Sequence, residues 1–187
     1  MHLVLIKKSF ILVFVLSISV FGFSNVTSDT INKTNPVNGR KTGYWIVTGS
    51  MSKINGYNSE AIVEEGIYVN SRKNGLWIKY WPNGNPKSKI KYKNGRSFGD
   101  YVTFFQNGNI EEKGEMNGGL MQGGYELYWP NGKIRQEKKF NLYGNPEGNV
   151  SFYYENGQPE LKFEVIDGVI SSSNSIIGNS LFKLGHY

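Results

Sequence analysis

Two pairs of neighbouring carboxylates are the residues best suited to acid–base chemistry in this sequence. They are Glu64-Glu65 and Glu111-Glu112. A glycosidase uses two carboxyl groups about 5–10 Å apart to cleave a sugar bond. Both pairs lie in segments where apolar and charged residues alternate, which predicts strands. Adjacent side chains of a strand point to opposite faces, so neither pair can converge on one substrate. We interpret both pairs as solvated strand residues.

Thiol and imidazole chemistry have almost no residues to use. The chain has no cysteine, which excludes disulfides, thiolate metal sites and thiol nucleophiles. Its only histidines are His2 and His186. The glycines recur with predicted turns and do not precede a helix, so no phosphate-binding loop is indicated. We therefore predict that the protein is not an enzyme and has no catalytic, cofactor-binding or metal-binding residues.

Composition and charge narrow the remaining classes of protein. Of 187 residues, 39% are hydrophobic and 19% are charged, which fits neither a disordered acidic tail nor a membrane bundle. The net charge of +6 falls to +4 when Lys7 and Lys8 of the N-terminal segment are removed. A surplus this small favours solubility over nucleic-acid binding.

The N-terminal segment has the features of a secretory signal peptide. Lys7 and Lys8 precede an apolar run that ends near Ser24, and this run is shorter than the roughly 20 residues that span a bilayer. Gly22 and Ser24 provide the small side chains of a cleavage site. We predict a helical signal peptide over residues 1–24 and a flexible leader over 25–40, with export to the periplasm or the cell exterior. An uncleaved membrane anchor is the alternative.

The rest of the chain is organised by repeated Asn-Gly pairs, which favour hairpin turns. Four pairs end a common aromatic-rich segment, at Tyr80–Gly84, Phe104–Gly108, Tyr128–Gly132 and Tyr153–Gly157. Their asparagines are 24, 24 and 25 residues apart. Each is preceded eight residues earlier by a glycine, namely Gly75, Gly99, Gly123 and Gly148. Such regular spacing is typical of repeat proteins.

A fifth, divergent unit precedes these four. Gly43-Tyr44-Trp45 matches Gly75-Leu76-Trp77, but the 32 residues between the two glycines leave about eight extra, near residues 53–59. We predict five units over residues 41–168, the first with an insertion. Residues 169–187 would be a C-terminal cap or tail.

A two-residue turn at Asn83-Gly84 would pair Trp81 with Pro86, Lys79 with Ser88 and Trp77 with Ile90. The same rule pairs Trp129 with Ile134, Tyr125 with Lys138 and Tyr154 with Pro159 in later units. Alternation then places a set of rings and Leu127 on one buried face: Trp77, Trp81, Tyr101, Phe105, Tyr125, Leu127, Trp129, Phe152 and Tyr154. The predicted fold is all-β, an elongated antiparallel sheet of tandem hairpins of about 24 residues each. The residues expected to hold the repeats together are Gly75, Trp77, Trp81, Gly84, Gly99, Tyr101, Gly108, Gly123, Tyr125, Trp129, Gly132, Gly148 and Gly157.

The opposite face is the candidate binding surface. The rule pairs Tyr80 with Lys87, Phe104 with Glu111, Tyr128 with Arg135 and Tyr153 with Glu160. The four rings could stack on a glycan or anchor a protein, or else pack as a cross-strand ladder. Four lysines, 87, 89, 91 and 93, would share this face, and could bind an anionic partner or discourage edge-to-edge aggregation. The candidate partner-binding residues are Tyr80, Phe104, Tyr128, Tyr153, Lys87, Lys89, Lys91 and Arg135.

With this pattern, residues 41–168 resemble the MORN-repeat-variant family of bacteria, some members of which are labelled YwqK-like antitoxins. Glu64–Tyr68 and Lys93-Asn94-Gly95 fit the second strand and turn of that family. The chain departs from the pattern at Val150, where an aromatic residue is usual, and at Leu142-Tyr143, where Asn-Gly is missing. The resemblance implies a long antiparallel sheet and a role in protein interaction or scaffolding.

Three hypotheses for function follow. The first is an exported, non-enzymatic protein-interaction or scaffold module. The second is a surface protein that binds carbohydrate or anionic lipid, and the third is the antitoxin component of a toxin–antitoxin pair. None of them requires a cofactor or a nucleic acid.

Overall fold

The computed structural model describes residues 31–177 and 180–182, and these form one antiparallel sheet of thirteen strands in chain order. The strands are β1 (Lys33–Thr34), β2 (Lys41–Thr48), β3 (Ile62–Val69), β4 (Arg72–Tyr80), β5 (Pro86–Lys93), β6 (Arg96–Phe104), β7 (Ile110–Asn117), β8 (Leu120–Tyr128), β9 (Ile134–Phe140), β10 (Pro146–Tyr153), β11 (Pro159–Ile166), β12 (Val169–Ile177) and β13 (Ser180–Phe182). One short helix, α1 (Gly49–Ser52), follows β2. The all-β fold of tandem hairpins is confirmed. The predicted signal helix lies outside the described residues.

The four repeated Asn-Gly pairs lie in hairpin turns, but these turns are longer than predicted. In the first, the Gly84 N–H donates to the Trp81 carbonyl (2.9 Å) and the Trp81 N–H donates to the Asn85 carbonyl (2.8 Å). Gly84 has a φ of +85°, whereas Asn83 is not among the residues with positive φ. This is a three-residue turn with a glycine bulge, not a two-residue turn. We call the four such connections the long turns: Trp81–Asn85, Phe105–Asn109, Trp129–Lys133 and Tyr154–Gln158.

Strand register is correct in the middle of the hairpins and wrong beside the long turns. Trp77 pairs with Ile90 and Lys79 with Ser88, as predicted. Tyr125 likewise pairs with Lys138. Next to the turns, the predicted pairs of Trp81, Trp129 and Tyr154 are wrong, because the longer turn moves each partner by one residue. The observed pairs there are Tyr80–Pro86, Phe104–Ile110, Tyr128–Ile134 and Tyr153–Pro159. The predicted pairs of Tyr80 with Lys87, Phe104 with Glu111, Tyr128 with Arg135 and Tyr153 with Glu160 are therefore wrong too. A bulge beside each long turn restores the predicted register.

The opposite ends of most hairpins have two-residue turns in which both residues have positive φ. We call these the short turns: Asn70-Ser71, Asn94-Gly95, Gly118-Gly119 and Asp167-Gly168. The connection between β9 and β10 differs, because the Asn141 N–H donates to the Asn145 carbonyl across three intervening residues. This extra residue explains both the missing Asn-Gly pair at Leu142-Tyr143 and the 25-residue spacing of the last unit.

The four glycines that stand eight residues before the long-turn asparagines lie inside strands with positive φ. Their φ values are +68° for Gly75, +75° for Gly99, +66° for Gly123 and +74° for Gly148. The pairing with the preceding strand changes register opposite each of them. They are therefore bulge residues, which only glycine adopts without strain.

One face of the sheet holds the most deeply buried rings, and we call it the ring face. Trp77 is 2% exposed and Tyr101 is 4% exposed. Tyr68 packs edge-on against two tryptophans, with centroid distances of 4.7 Å to Trp77 and 5.7 Å to Trp45. The prediction of a buried face is correct for Trp77 and Tyr101. It is wrong for Tyr154, which is 45% exposed because it begins a long turn.

The chain outside the predicted repeats also forms strands. Residues 31–40, predicted as part of a flexible leader, instead form a hairpin in which β1 pairs with β2. The Asn32 side chain ties this hairpin to the sheet, since it donates to the Ile46 carbonyl (3.0 Å) and accepts from the Ile46 N–H (2.8 Å). At the other end, β12 and β13 extend the sheet beyond the last repeat.

Candidate functional site

The face opposite the ring face carries the predicted row of aromatic residues, and we call it the tyrosine face. Tyr80, Phe104, Tyr128 and Tyr153 are all half-buried. The three tyrosine hydroxyls donate to carboxylates of the same face, on Glu65, Glu126 and Glu137. In the described chain, no ring contact joins two members of this row. The row is therefore neither a free aromatic platform nor a stacked ladder.

A groove of about 570 Å³ crosses the tyrosine face between β4 and β8. Val102 and Ile110 contribute apolar surface to it, and its charged lining residues are Lys89, Lys91, Lys113, Asp100, Glu115 and Glu126. Two ion pairs lie along it, Lys113–Glu126 at 3.0 Å and Lys91–Asp100 at 3.9 Å. Both pairs are partly exposed, so their net contribution to stability is small. The groove thus combines an apolar floor with charged groups that remain accessible to a partner.

The predicted basic stripe is divided between the two faces. Lys89 and Lys91 line the groove of the tyrosine face. Lys87 instead lies with its Nζ 4.2 Å from the centroid of the Trp81 ring and lines a pocket with Glu64 of the ring face. The prediction that these lysines share one face is wrong, because Lys87 is the extra residue of the bulge beside the first long turn. Arg135 occupies the equivalent place over Trp129, at 4.6 Å.

The paired carboxylates are hydrogen-bond acceptors within the sheet. Glu64 accepts from Lys73 Nζ (2.7 Å) on the ring face, whereas Glu65 accepts from the Tyr80 hydroxyl on the tyrosine face. Glu112 accepts from the hydroxyls of Tyr101 and Tyr125. The two members of the first pair do point to opposite faces, but the interpretation of both pairs as solvated residues is wrong. Glu65 and Glu112 bond to tyrosine hydroxyls, Glu64 to a lysine and Glu111 to the Thr103 hydroxyl (3.4 Å), so these carboxylates link side chains within the sheet.

Burial raises the pKa of several of these tyrosines, and a nearby carboxylate adds to the effect. The pKa of Tyr80 is raised to about 12, by burial and then by its hydrogen bond to Glu65. The pKa of Tyr125 is also raised to about 12, by burial and by the charge of Glu112. Burial and Glu112 likewise raise the pKa of Tyr101 well above its ordinary value. Because the folded state holds these protons more tightly than the unfolded chain, the resulting stabilisation is complete below pH 10 and is lost above it.

We therefore expect the free energy of unfolding to fall steadily as the pH rises from about 10 to about 12. Urea unfolding followed by circular dichroism at several pH values would measure this fall, with tyrosinate absorbance recorded in parallel. The Tyr80→Phe variant should show a shallower fall, since one of the shifted groups is gone. An unchanged slope in Tyr80→Phe would contradict the assignment.

Three lysines outside the predicted partner-binding residues lie over rings of the ring face. Lys73 Nζ is 4.0 Å from the Trp77 centroid, Lys41 Nζ is 4.4 Å from the Trp45 centroid, and Lys138 Nζ is 4.7 Å from the Tyr125 centroid. The sequence could have indicated two of these contacts, because a lysine stands four residues before a tryptophan in each of the first two units. These cation–π contacts cover the rings on the solvent side and stabilise the repeat.

Two kinds of site are not found in the part of the chain that the structure describes. Residues 31–177 and 180–182 contain no cluster of histidine, aspartate and glutamate able to hold a metal ion. No helix within these residues is long and apolar enough to cross a membrane.

Comparison with solved structures gives only a weak likeness. A mutant of S. aureus TarM, in complex with fondaparinux, alpha-GlcNAc-glycerol and UDP, is 10% identical with a TM-score of 0.34, over 51% of this chain and 19% of that one. Another crystal structure of TarM is 11% identical with a TM-score of 0.34, over 57% of this chain and 20% of that one. The chain thus spans about a fifth of each of these structures. No curated protein matches the sequence.

Three segments of the chain match a protein family. Residues 73–94, 121–141 and 146–166 each match the family described as MORN repeat variant. The matched stretches coincide with β4–β5, β8–β9 and β10–β11, so each is one long turn with its two flanking strands. In residues 73–166 the chain therefore carries repeats of the MORN-repeat-variant family.

Proposed function

We propose that this protein is a non-enzymatic protein-interaction module that binds a segment of a partner protein in the groove of the tyrosine face. The observation that carries the proposal is that no other element of the described chain packs extensively on this groove, since β4 to β8 make their main contacts with neighbouring strands of the sheet. Apolar side chains on the same face are also left in solvent, with Leu76 and Phe98 each 49% exposed. Exposed apolar surface of this kind marks interaction sites.

The charge around the groove favours an acidic partner segment. Within the described residues, Lys89 of the groove forms no ion pair with an acidic side chain, and neither do Lys93, Arg72 and Arg96, which lie outside the groove at the ends of β5, β4 and β6. Lys91 meets only Asp100, whose side chain is 86% exposed. Unpaired cations beside exposed apolar groups fit a segment that alternates apolar and acidic residues.

The proposal predicts that a synthetic peptide alternating leucine and glutamate binds the folded protein and that Lys89→Glu weakens this binding roughly tenfold. The added like charge would face the glutamates of the peptide across the groove. Fluorescence anisotropy of the labelled peptide at low and high salt measures the affinity.

Lys133→Glu is the matched control for charge, because Lys133 lies in a long turn, where its Nζ donates to the Asn156 carbonyl. It changes the net charge equally and should leave the affinity nearly unchanged. Equal weakening by both variants would show that the peptide senses overall charge only. Failure of the peptide to bind at low salt would contradict the proposal.

The proposal includes export of the module. Its support is the N-terminal sequence, where Gly22 and Ser24 follow an apolar run behind two lysines. When the full chain is expressed in a secreting bacterial host, the exported product should begin at Asn25. N-terminal sequencing and the intact mass test this. An exported or membrane-bound product that retains residues 1–24 would contradict cleavage.

A further inference from the structure

The insertion of the first hairpin folds into an ordered lobe at one end of β3 and β4. It contains α1 and continues to Ala61, whose carbonyl accepts from the Gly49 N–H (2.9 Å). The Tyr57 hydroxyl donates to the Tyr80 carbonyl at the end of β4 (2.6 Å). The lobe is also tightly closed, since a Cβ on Gly49 would lie 2.1 Å from the Asn58 carbonyl oxygen. These contacts hold the lobe against the first long turn.

A pocket of about 420 Å³ lies between this lobe and the first long turn. This volume suits a small ligand and is too small for a folded partner. Its apolar lining includes Trp81, Ile54 and Val63, and its polar lining includes Lys79, Lys87, Glu64, Asn55 and Ser52. The pocket opens beside the ring face and is separate from the groove proposed above to bind protein.

The charges of the pocket leave an excess of positive groups. Glu64 is already paired with Lys73 at 2.7 Å, while Lys79 lies at 4.0 Å from the same carboxylate. Lys87 contacts no acidic group among the described ion pairs and lies over the Trp81 ring. The pocket thus offers a ligand carboxylate two ammonium groups, one unpaired (Lys87) and one at the distance limit of an ion pair (Lys79). The Glu64 carboxylate can accept hydrogen bonds from ligand hydroxyl groups, and the Asn55 amide can both donate to them and accept from them.

We propose that this pocket binds an acidic saccharide, with a uronic acid as the simplest case. The apolar C–H face of a pyranose ring packs on the Trp81 ring and displaces the flexible Lys87 side chain, whose ammonium then binds the sugar carboxylate together with Lys79. The sugar hydroxyls bond to Glu64 and Asn55. An aromatic wall with a few convergent polar groups is the usual composition of a small-molecule site.

The fourth repeat provides an internal comparison with the second, because its residues lie 48 positions after the equivalent residues of the second repeat. Trp81 Nε1 donates to the Phe104 carbonyl (2.9 Å), and Trp129 Nε1 donates to the Tyr153 carbonyl (2.9 Å). Arg135 stands over Trp129 as Lys87 stands over Trp81. The fourth repeat has Leu127 in place of Lys79, and no insertion lies beside it. It therefore has the same tryptophan support without the pocket.

The test uses saturation-transfer NMR on the whole exported chain, with D-glucuronate, D-glucose and acetate at millimolar concentration as separate probes. Glucuronate should bind. Glucose and acetate should each bind at least about tenfold more weakly, because glucose lacks the carboxylate and acetate lacks the sugar ring. Lys87→Gln should weaken glucuronate binding about tenfold, the loss expected for one charge-assisted hydrogen bond. Trp81→Ala should abolish it.

Arg135→Gln and Trp129→Ala are the matched controls and should retain full glucuronate binding. Trp81→Ala also removes the hydrogen bond from Trp81 Nε1 to the Phe104 carbonyl and could therefore unfold the protein. In that event the result for Lys87→Gln tests the proposal. Equal binding of acetate would overturn the proposal in favour of a plain anion site. Absence of glucuronate binding, or equal loss in Arg135→Gln, would overturn it as well. Lys89→Glu should not affect glucuronate, so failure of the protein-binding proposal and failure of this one are distinguishable.

Discussion

Replacing Trp77 with alanine is expected to lower the free energy of unfolding by about 3–5 kcal/mol. Trp77 is 2% exposed, and its Nε1 donates to the Ile67 carbonyl (3.0 Å). Its ring packs against Tyr68 of the preceding strand and lies under Lys73 Nζ. The neighbouring side chains are carried by hydrogen-bonded strands of the sheet, so we expect them to fill the space left by the ring only in part. Most of the cost of the lost ring should therefore appear in the free energy of unfolding.

Urea unfolding followed by circular dichroism measures this change, with Tyr143→Ala as the control. Tyr143 is 81% exposed, so its removal should alter the free energy of unfolding by less than about 0.5 kcal/mol. Because stability in repeat proteins comes largely from neighbouring units, hydrogen exchange in Trp77→Ala should increase more in β3–β5 than in β10–β11. A loss below about 1 kcal/mol, or a uniform increase in exchange, would contradict the importance of the shared rings.

The strands and their order could be predicted because the repeat fixes them. A hairpin with Trp77 on one strand and Ile90 on the other has only one register that buries the ring, since a slip of one residue moves every side chain to the other face. Regular recurrence of Asn-Gly then placed the remaining hairpins. Tertiary contacts did not need to be known, because each strand pairs with its neighbour in the chain.

The type of turn could not be predicted from Asn-Gly alone, because that pair suits both turns of two residues and turns of three. The proline that precedes Asn-Gly in two of the units does indicate the three-residue turn. Pro82 and Pro130 fall at the first position inside the observed long turns, where φ is negative and close to the value that proline fixes. The two-residue alternative would have required these prolines to continue the strand.

The positions of the candidate-site side chains could not be predicted, because each depends on one bulge or one contact between distant segments. The bulge at Lys87 places this side chain over Trp81 and not in the predicted stripe of lysines. The alternation of apolar and charged residues in the sequence does not reveal such a bulge. The insertion near residues 53–59 was visible from the unit length, but its attachment through Tyr57 to the Tyr80 carbonyl is a contact between distant segments. The partners of Glu64 and Glu65 were missed for the same reason, since strand pairing decides which groups reach them.

Gly66→Ala is expected to destabilise the protein by about 1–3 kcal/mol, the usual cost of inserting a group into a filled site. A Cβ on Gly66 would lie 2.5 Å from the Trp77 ring, closer than non-bonded atoms approach. The backbone does not cause this cost, because Gly66 is not among the glycines with positive φ. Gly124→Ala is the matched control: it also lies in a strand without positive φ, but nothing stands within 4 Å of its Cβ position. It should be neutral or more stable by up to about 1 kcal/mol.

A double-mutant cycle separates the clash with Trp77 from any other effect of alanine at position 66. In the Trp77→Ala background the obstructing ring is absent, so Gly66→Ala should cost nothing or stabilise the strand slightly. The coupling between the two substitutions should then equal most of the cost that Gly66→Ala has alone. Urea unfolding of the four proteins measures it. Additive effects would mean that Trp77 does not rest on Gly66, and the close approach of β3 to the ring of the next strand would lose its role in holding the first two repeats together.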